Sequence, residues 1–140
     1  MNRLTARLGG IFLSSIIMTM ETNDLDAFVE QAMSALPRIL RDKIINLAIV
    51  IEDRPADDDA DGILGLYEGL PIVEREGDST GLLPDIITLY RIPIEREARD
   101  SGLPVAQVVH ETVWHELSHY FGFDEEEAER KEKKWAKNLK

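Results

Sequence analysis

The sequence predicts an α/β fold of the α+β kind, in which a small mixed β-sheet is packed by one buried helix and covered by flanking helices. Three observations predict it. A β-branched, almost uninterrupted run from Ile44 to Ile51 has the length and composition of a buried strand rather than an independent helix. A stretch from Pro104 to Gly122 carries apolar residues on most sides of a helix, so that helix should be buried. The chain has 140 residues, 44% hydrophobic and 31% charged, which suits one domain able to bury about 68–70% of its unfolded surface.

At the N-terminus, Arg3 and Arg7 precede an apolar run from Leu8 to Met18 that looks like a weak secretory core and is too short to span a bilayer. Two Gly and two Ser dilute it, and Met20 opens a polar stretch with the look of a natural start. Residues 1–19 are therefore read as an N-terminal extension, either an upstream-extended start with no structural role or a signal or tethering segment, and residues 20–140 as the domain. Asn23 or Asp24 can cap a helix whose Leu25, Phe28, Val29, Ala32, Met33 and Leu36 recur at helical spacing until Pro37.

After the strand at 44–51, a polar loop spans Glu52 to Gly62, and Ile63 to Glu68 reads as a short second strand with Pro71 marking a sheet edge. Glu74 to Gly81 has loop composition. Asp85 to Ile92 reads as a third strand, and Ile94 to Asp100 as a short helix or turn. Pro104 suits the first position of the long helix and Gly122 its left-handed end. A charged helix from about Asp124 to Asn138 closes the domain, anchored by Ala128 and Trp135.

Acidic residues outnumber basic ones by 27 to 16, a field that repels nucleic acid and anionic membranes. The basic cluster from Arg130 to Lys140 alternates with Glu129 and Glu132 and reads as a solvated helix face. The absence of cysteine excludes disulfides, thiolate metal ligands and a cysteine nucleophile, and fits a reducing cytoplasm. Any metal must sit on His and carboxylates.

On the long helix lies His115-Glu116-Leu117-Ser118-His119, the HExxH spacing. Four residues turn a helix by about 400°, so the two imidazoles point to one side and can share a zinc ion at about 2.0–2.1 Å. Glu116 stands about 100° off that pair, within reach of a water on the ion, and so has the place of a general base. Two of the chain's three histidines occupy these positions. A third ligand should follow Gly122: Glu125 is the residue reached by the HExxHxxGxx count, with Asp124 and Glu126 as alternatives. The same acidic run also suits the first turn of a helix. His110, about 140° around the helix from His115, reads as a core residue or a support of the metal site. Tyr67, Tyr90 or Tyr120 could offer a hydroxyl to an oxyanion.

A competing pattern runs through Asp57, Asp59, Asp61, Gly62, Leu64 and Glu68, which satisfies the EF-hand calcium loop. An EF-hand needs a helix on each side, whereas strand-like segments and Pro55 flank this one; a solvated acidic turn is the reading adopted.

Several segments in order resemble the small bacterial zincin-like metallopeptidases, a minimal zincin fold: Ala35-Leu36-Pro37, the stretch from Leu64 to Gly69 with Pro71, Leu83-Pro84-Asp85 leading to Thr88-Leu89-Tyr90-Arg91, and His115 to Gly122. The resemblance covers most of the chain from about Asp24. It implies a small mixed sheet packed by the zinc-binding helix, zinc ligands at His115 and His119, Glu116 as base, and an acidic third ligand after Gly122, at a position where the family often has Asp. It also places Glu68 on a strand near the active cleft. Every Met lies at or before Met33, so the Met-turn of metzincins is missing.

The expected function is that of a zinc-dependent metallopeptidase acting on a peptide or protein substrate, cytoplasmic, with no nucleic-acid partner and no stable membrane span; the oligomeric state stays open. The alternative is a zinc-stabilised protein-binding module without peptidase activity. A zinc nuclease is a minor third reading, disfavoured by the acidic surface.

Overall fold

The computed structural model describes residues 16–18, 24–56, 62–69 and 84–139. Its elements are β1 (Ile16–Met18), α1 (Asp24–Ser34), α2 (Arg38–Asp42), β2 (Leu47–Glu52), β3 (Gly65–Glu68), β4 (Asp85–Tyr90), α3 (Arg91–Ser101), α4 (Val105–Phe121) and α5 (Glu125–Ala136). The four strands form one mixed sheet in the order β1-β2-β4-β3. β2 pairs parallel with β1 and β4, and β3 runs antiparallel to β4 with Tyr67 opposite Ile87. Among the described strands β3 and β1 are thus the two edges; Pro71, which suggests an edge in the sequence, lies outside the described residues.

Leu47, Ile49, Ile87 and Leu89 are fully buried in the two central strands. α4 packs between the sheet and α1, meeting Val29, Ala32 and Met33 with Val109, Val113 and Trp114. Two polar ties fix its rotation. The Trp114 indole donates to the Ala32 carbonyl at 3.0 Å, and the Tyr120 hydroxyl accepts from the Ile45 N–H at 3.0 Å while donating to the Ile45 carbonyl at 3.1 Å. α5 is anchored by buried Ala128 and Trp135, as its sequence indicates, with the Trp135 ring edge-on to Trp114.

Several boundaries differ from the sequence reading. β2 begins at Leu47 rather than Ile44, because Asn46 takes a left-handed φ of 58° that ends the extended run, and because Tyr120 occupies both backbone groups of Ile45. β3 begins at Gly65 rather than Ile63. β4 stops at Tyr90 and α3 follows at once; Pro93 falls in the first helical turn, where its missing N–H has no intrahelical partner to lose. Pro104 is the residue before α4 rather than its first. The one-turn helix α2 has no counterpart in the sequence pattern, since five residues are too few for a periodic signal.

β1 lies inside the stretch read as an extension and pairs with β2 through Ile16 to Met18. The acidic turn at 57–61, the loop at 74–81 and the capping side chains of Asn23 and Asp24 lie outside the described residues. What flanks the acidic turn is β2 and β3, with no helix on either side, which agrees with rejecting an EF-hand. Among the described residues no helix is long and apolar enough to cross a membrane.

Candidate metal centre

α4 is buried on most of its circumference, but one stripe at four-residue spacing, Gln107, Glu111, His115 and His119, faces outward. The two imidazoles sit edge to face with ring centres 4.8 Å apart. Donor atoms of His115, Glu116 and His119 all lie within 4.8 Å of one another, and this is the group that could hold a metal ion among the described residues. Two converging imidazoles, in a chain whose other metal donors are carboxylates and not thiols, are suited to zinc.

Glu116 is only 7% exposed. Burial pushes its carboxyl above the ordinary carboxylate value, while His115, His119 and a hydrogen bond from the Tyr67 backbone pull the other way. A carboxylate made more basic by its surroundings is suited to take a proton. The Tyr67 contact shows that β3 lies directly against the reactive face of α4.

Gly65 permits that approach. A Cβ at this position would meet Thr112 Cγ2 at 2.7 Å, the Thr88 carbonyl at 3.3 Å and Glu116 Cγ at 3.4 Å. Beyond it, a cavity of about 380 Å³ opens along the β3 side of the site, floored by Leu64, Leu103 and Val108 and reaching His115 and Glu116. A second, of about 310 Å³, lies on the α5 side and takes in His115, His119, Phe123 and Glu125.

The end of α4 turns the chain back beside its histidines. Gly122 has φ 83°, its N–H reaches the His119 carbonyl, and the Phe123 N–H reaches the Ser118 carbonyl, each at 3.0 Å. This pair of bonds is a Schellman closure. Of the three acidic candidates for the third ligand, Asp124 caps α5 by accepting from the Glu127 N–H at 2.8 Å. Glu125 lines the α5-side cavity with both histidines, and Glu126 is exposed and absent from that lining. None of the three is within the 4.8 Å donor group.

The tyrosines are engaged elsewhere. Tyr67 donates to Asp85 at 2.7 Å and Tyr120 holds Ile45, while Tyr90, a buried residue at the end of β4, holds its phenol proton more tightly than usual through desolvation and then through Glu52 and Glu68. His110 is a core residue: it stacks on Trp114, meets Gln31 at 2.9 Å, and burial lowers its proton affinity.

The structure corrects the sequence reading at one residue, Glu132, which the sequence places on a solvated helix face. Glu132 of α5 is half-buried, accepts from the Ser118 hydroxyl at 3.1 Å and lines both cavities. Its signal was there: it stands between Ala128 and Trp135 at the four- and three-residue spacing that marks the inward face of α5.

A buried helix thus brings His115, Glu116 and His119 together beside an antiparallel edge strand, a group that could hold a metal ion. The profile of the zincin-like metallopeptidase family matches residues 44–135, from the approach to β2 through Trp135. The chain belongs to that family. No curated protein matches it.

Proposed function

We propose that this chain is a zinc-dependent peptidase, with His115 and His119 as metal ligands, Glu125 as the third and Glu116 as general base. The observation that carries this reading is the convergence of His115, Glu116 and His119 within 4.8 Å, with the base buried under an edge strand. Zinc bound there would act as a Lewis acid on a water molecule and on the scissile carbonyl. Every other requirement falls on the protein. The two imidazoles fix the ion on one face of α4, and the Glu116 carboxylate takes the proton of the attacking water and returns it to the leaving amine.

The Tyr67 N–H on Glu116 orients that carboxylate. An extended peptide can lie along β3 by strand addition, its side chains alternating into and out of the adjoining cavity. Glu125 is favoured as third ligand because it shares a cavity with both histidines, whereas Asp124 is committed to its cap.

The test is cleavage of a mixed peptide library by zinc-loaded protein, compared with Glu116→Gln and with chelated protein. Zinc-dependent cleavage abolished by Glu116→Gln is the expected result. Stoichiometric zinc uptake without Glu116-dependent cleavage would sink the peptidase reading and leave a zinc-stabilised binding module. Substituting Asp124, Glu125 and Glu126 singly, with zinc content measured, tests the third ligand: only Glu125→Ala should lose zinc.

A further inference from the structure

We propose that Glu132 is a positioning residue of the metal centre, the outer carboxylate that accepts the remaining imidazole N–H of His115 when the other ring nitrogen binds zinc. The proposal rests on the zinc-site reading above. Three features of the structure carry it.

Ser118 lies inside the HExxH segment and is 2% exposed, and its hydroxyl holds Glu132 Oε2 at 3.1 Å. Three residues turn a helix by about 300°, so Ser118 stands about 60° around α4 from His115 and one turn along it. A carboxylate tethered at Ser118 therefore comes in alongside the His115 ring. Secondly, His115 and Glu132 are the two side chains common to both cavities, so they stand together on the wall that separates them. Thirdly, Glu132 is held from behind: Ala128 and Trp135, one turn away on either side, are 8% and 1% exposed. Its charge is near enough to act on both imidazoles, and Glu111 acts on it with like charge.

A zinc-ligating imidazole generally donates its second N–H to a carboxylate or carbonyl, which fixes the tautomer and ring orientation and makes the ligating nitrogen a better donor. Glu132 is placed to do this for His115. It also gives Ser118 a role: the hydroxyl occupies one carboxylate oxygen and leaves the other for the imidazole.

The test measures zinc affinity by competition with a chromophoric chelator for wild type, Glu132→Gln, Glu132→Ala and Ser118→Ala, alongside melting of the metal-free proteins. Loss of such an outer partner costs about 10–100-fold in metal affinity; Glu132→Gln should fall at the lower end and Glu132→Ala at the upper, with stoichiometry unchanged. Ser118→Ala, which removes the tether alone, should show a smaller loss and serves if Glu132→Ala does not fold. Nitrogen-15 spectra of the zinc-loaded protein should show a protected His115 N–H that Glu132→Ala loses. Wild-type affinity in both Glu132 variants would overturn the proposal. So would a cobalt-substituted Glu132→Gln whose visible spectrum shows a changed ligand number, since Glu132 would then be a direct ligand. If the wild type itself takes up no zinc, the site reading fails; if only the Glu132 variants bind normally, this inference alone fails.

Discussion

Replacing Gly65 with alanine tests how the reactive face is built. The added Cβ would lie 2.7 Å from Thr112 Cγ2, against about 3.5–4.0 Å for a relaxed carbon contact, so roughly 1 Å must be found. Thr112 cannot swing aside, because its hydroxyl donates to the Val108 carbonyl at 2.7 Å and the residue is buried. On the opposite flank the Thr88 carbonyl stands at 3.3 Å, and backbone does not yield. Overpacking of this kind costs about 1–3 kcal/mol. Removing a glycine from the unfolded chain returns about 0.4–1 kcal/mol. The net loss is then roughly 0–2.6 kcal/mol, centred on about 1 kcal/mol, or a few degrees of melting temperature for a domain of this size.

Because the displacement moves β3 away from α4, the Tyr67 bond to Glu116 should lengthen and cleavage should fall more than stability does. Thr112→Ser deletes only Cγ2 and keeps the hydroxyl. In a double-mutant cycle it should recover most of the Gly65→Ala loss. Urea melts of the four proteins decide it: no coupling between Gly65→Ala and Thr112→Ser refutes the claim that this glycine sets the strand–helix distance.

Tyr120→Phe removes both bonds to Ile45 and leaves two partly buried backbone groups without them; a loss of about 1–3 kcal/mol in denaturant titration is expected. His110 binds its proton less tightly in the fold than in the unfolded chain. The unfolded state therefore takes up more protons as pH drops below about 6.5, and stability falls with it. His110→Gln should flatten that part of the pH profile. For metal-free protein the sign at Glu116 is opposite: burial raises its folded value above the unfolded one, so the native state binds the proton more readily and stability is lost as pH rises through the folded value. Glu116→Gln should accordingly melt higher than wild type at neutral pH in chelator, with the difference shrinking towards acid, while cleavage disappears.

How much of this was legible depends on whether the signal was local. The HExxH spacing determines which side chains share a face of a helix, so His115, Glu116 and His119 could be placed together from their numbers alone. Gly122 and Trp135 were likewise legible, one as a left-handed closure and the other as an anchor in a charged helix. What could not be read were meetings between distant segments. Ser118 with Glu132 depends on the angle at which α5 returns, and Tyr67 with Glu116 on how closely β3 can approach, which Gly65 decides. Tyr120 is one of three tyrosines the sequence offers as a hydroxyl donor, yet one residue of helix turns a side chain by about 100° from His119, and it faces Ile45 instead. The ends of β2 and β4 were misplaced for a related reason: an apolar run shows what is buried, and both a strand and the first turn of a helix can bury it.

Stability and reactivity pull against each other along α4. The same helix that fills the core with Val109, Val113, Leu117 and Tyr120 also carries Glu116, a buried carboxylate whose charged form is disfavoured above all by desolvation. Apolar residues at 116 and 132 would pack those positions without the cost of desolvating a charge. What the chain has instead are two acids facing the site from opposite flanks, Glu116 steadied by a strand N–H and Glu132 by Ser118. A bound dication would turn both from liabilities into attractions. Metal should therefore stabilise the wild type more than it stabilises Glu132→Gln, and the difference between those two gains isolates the part of the fold that exists to hold the ion.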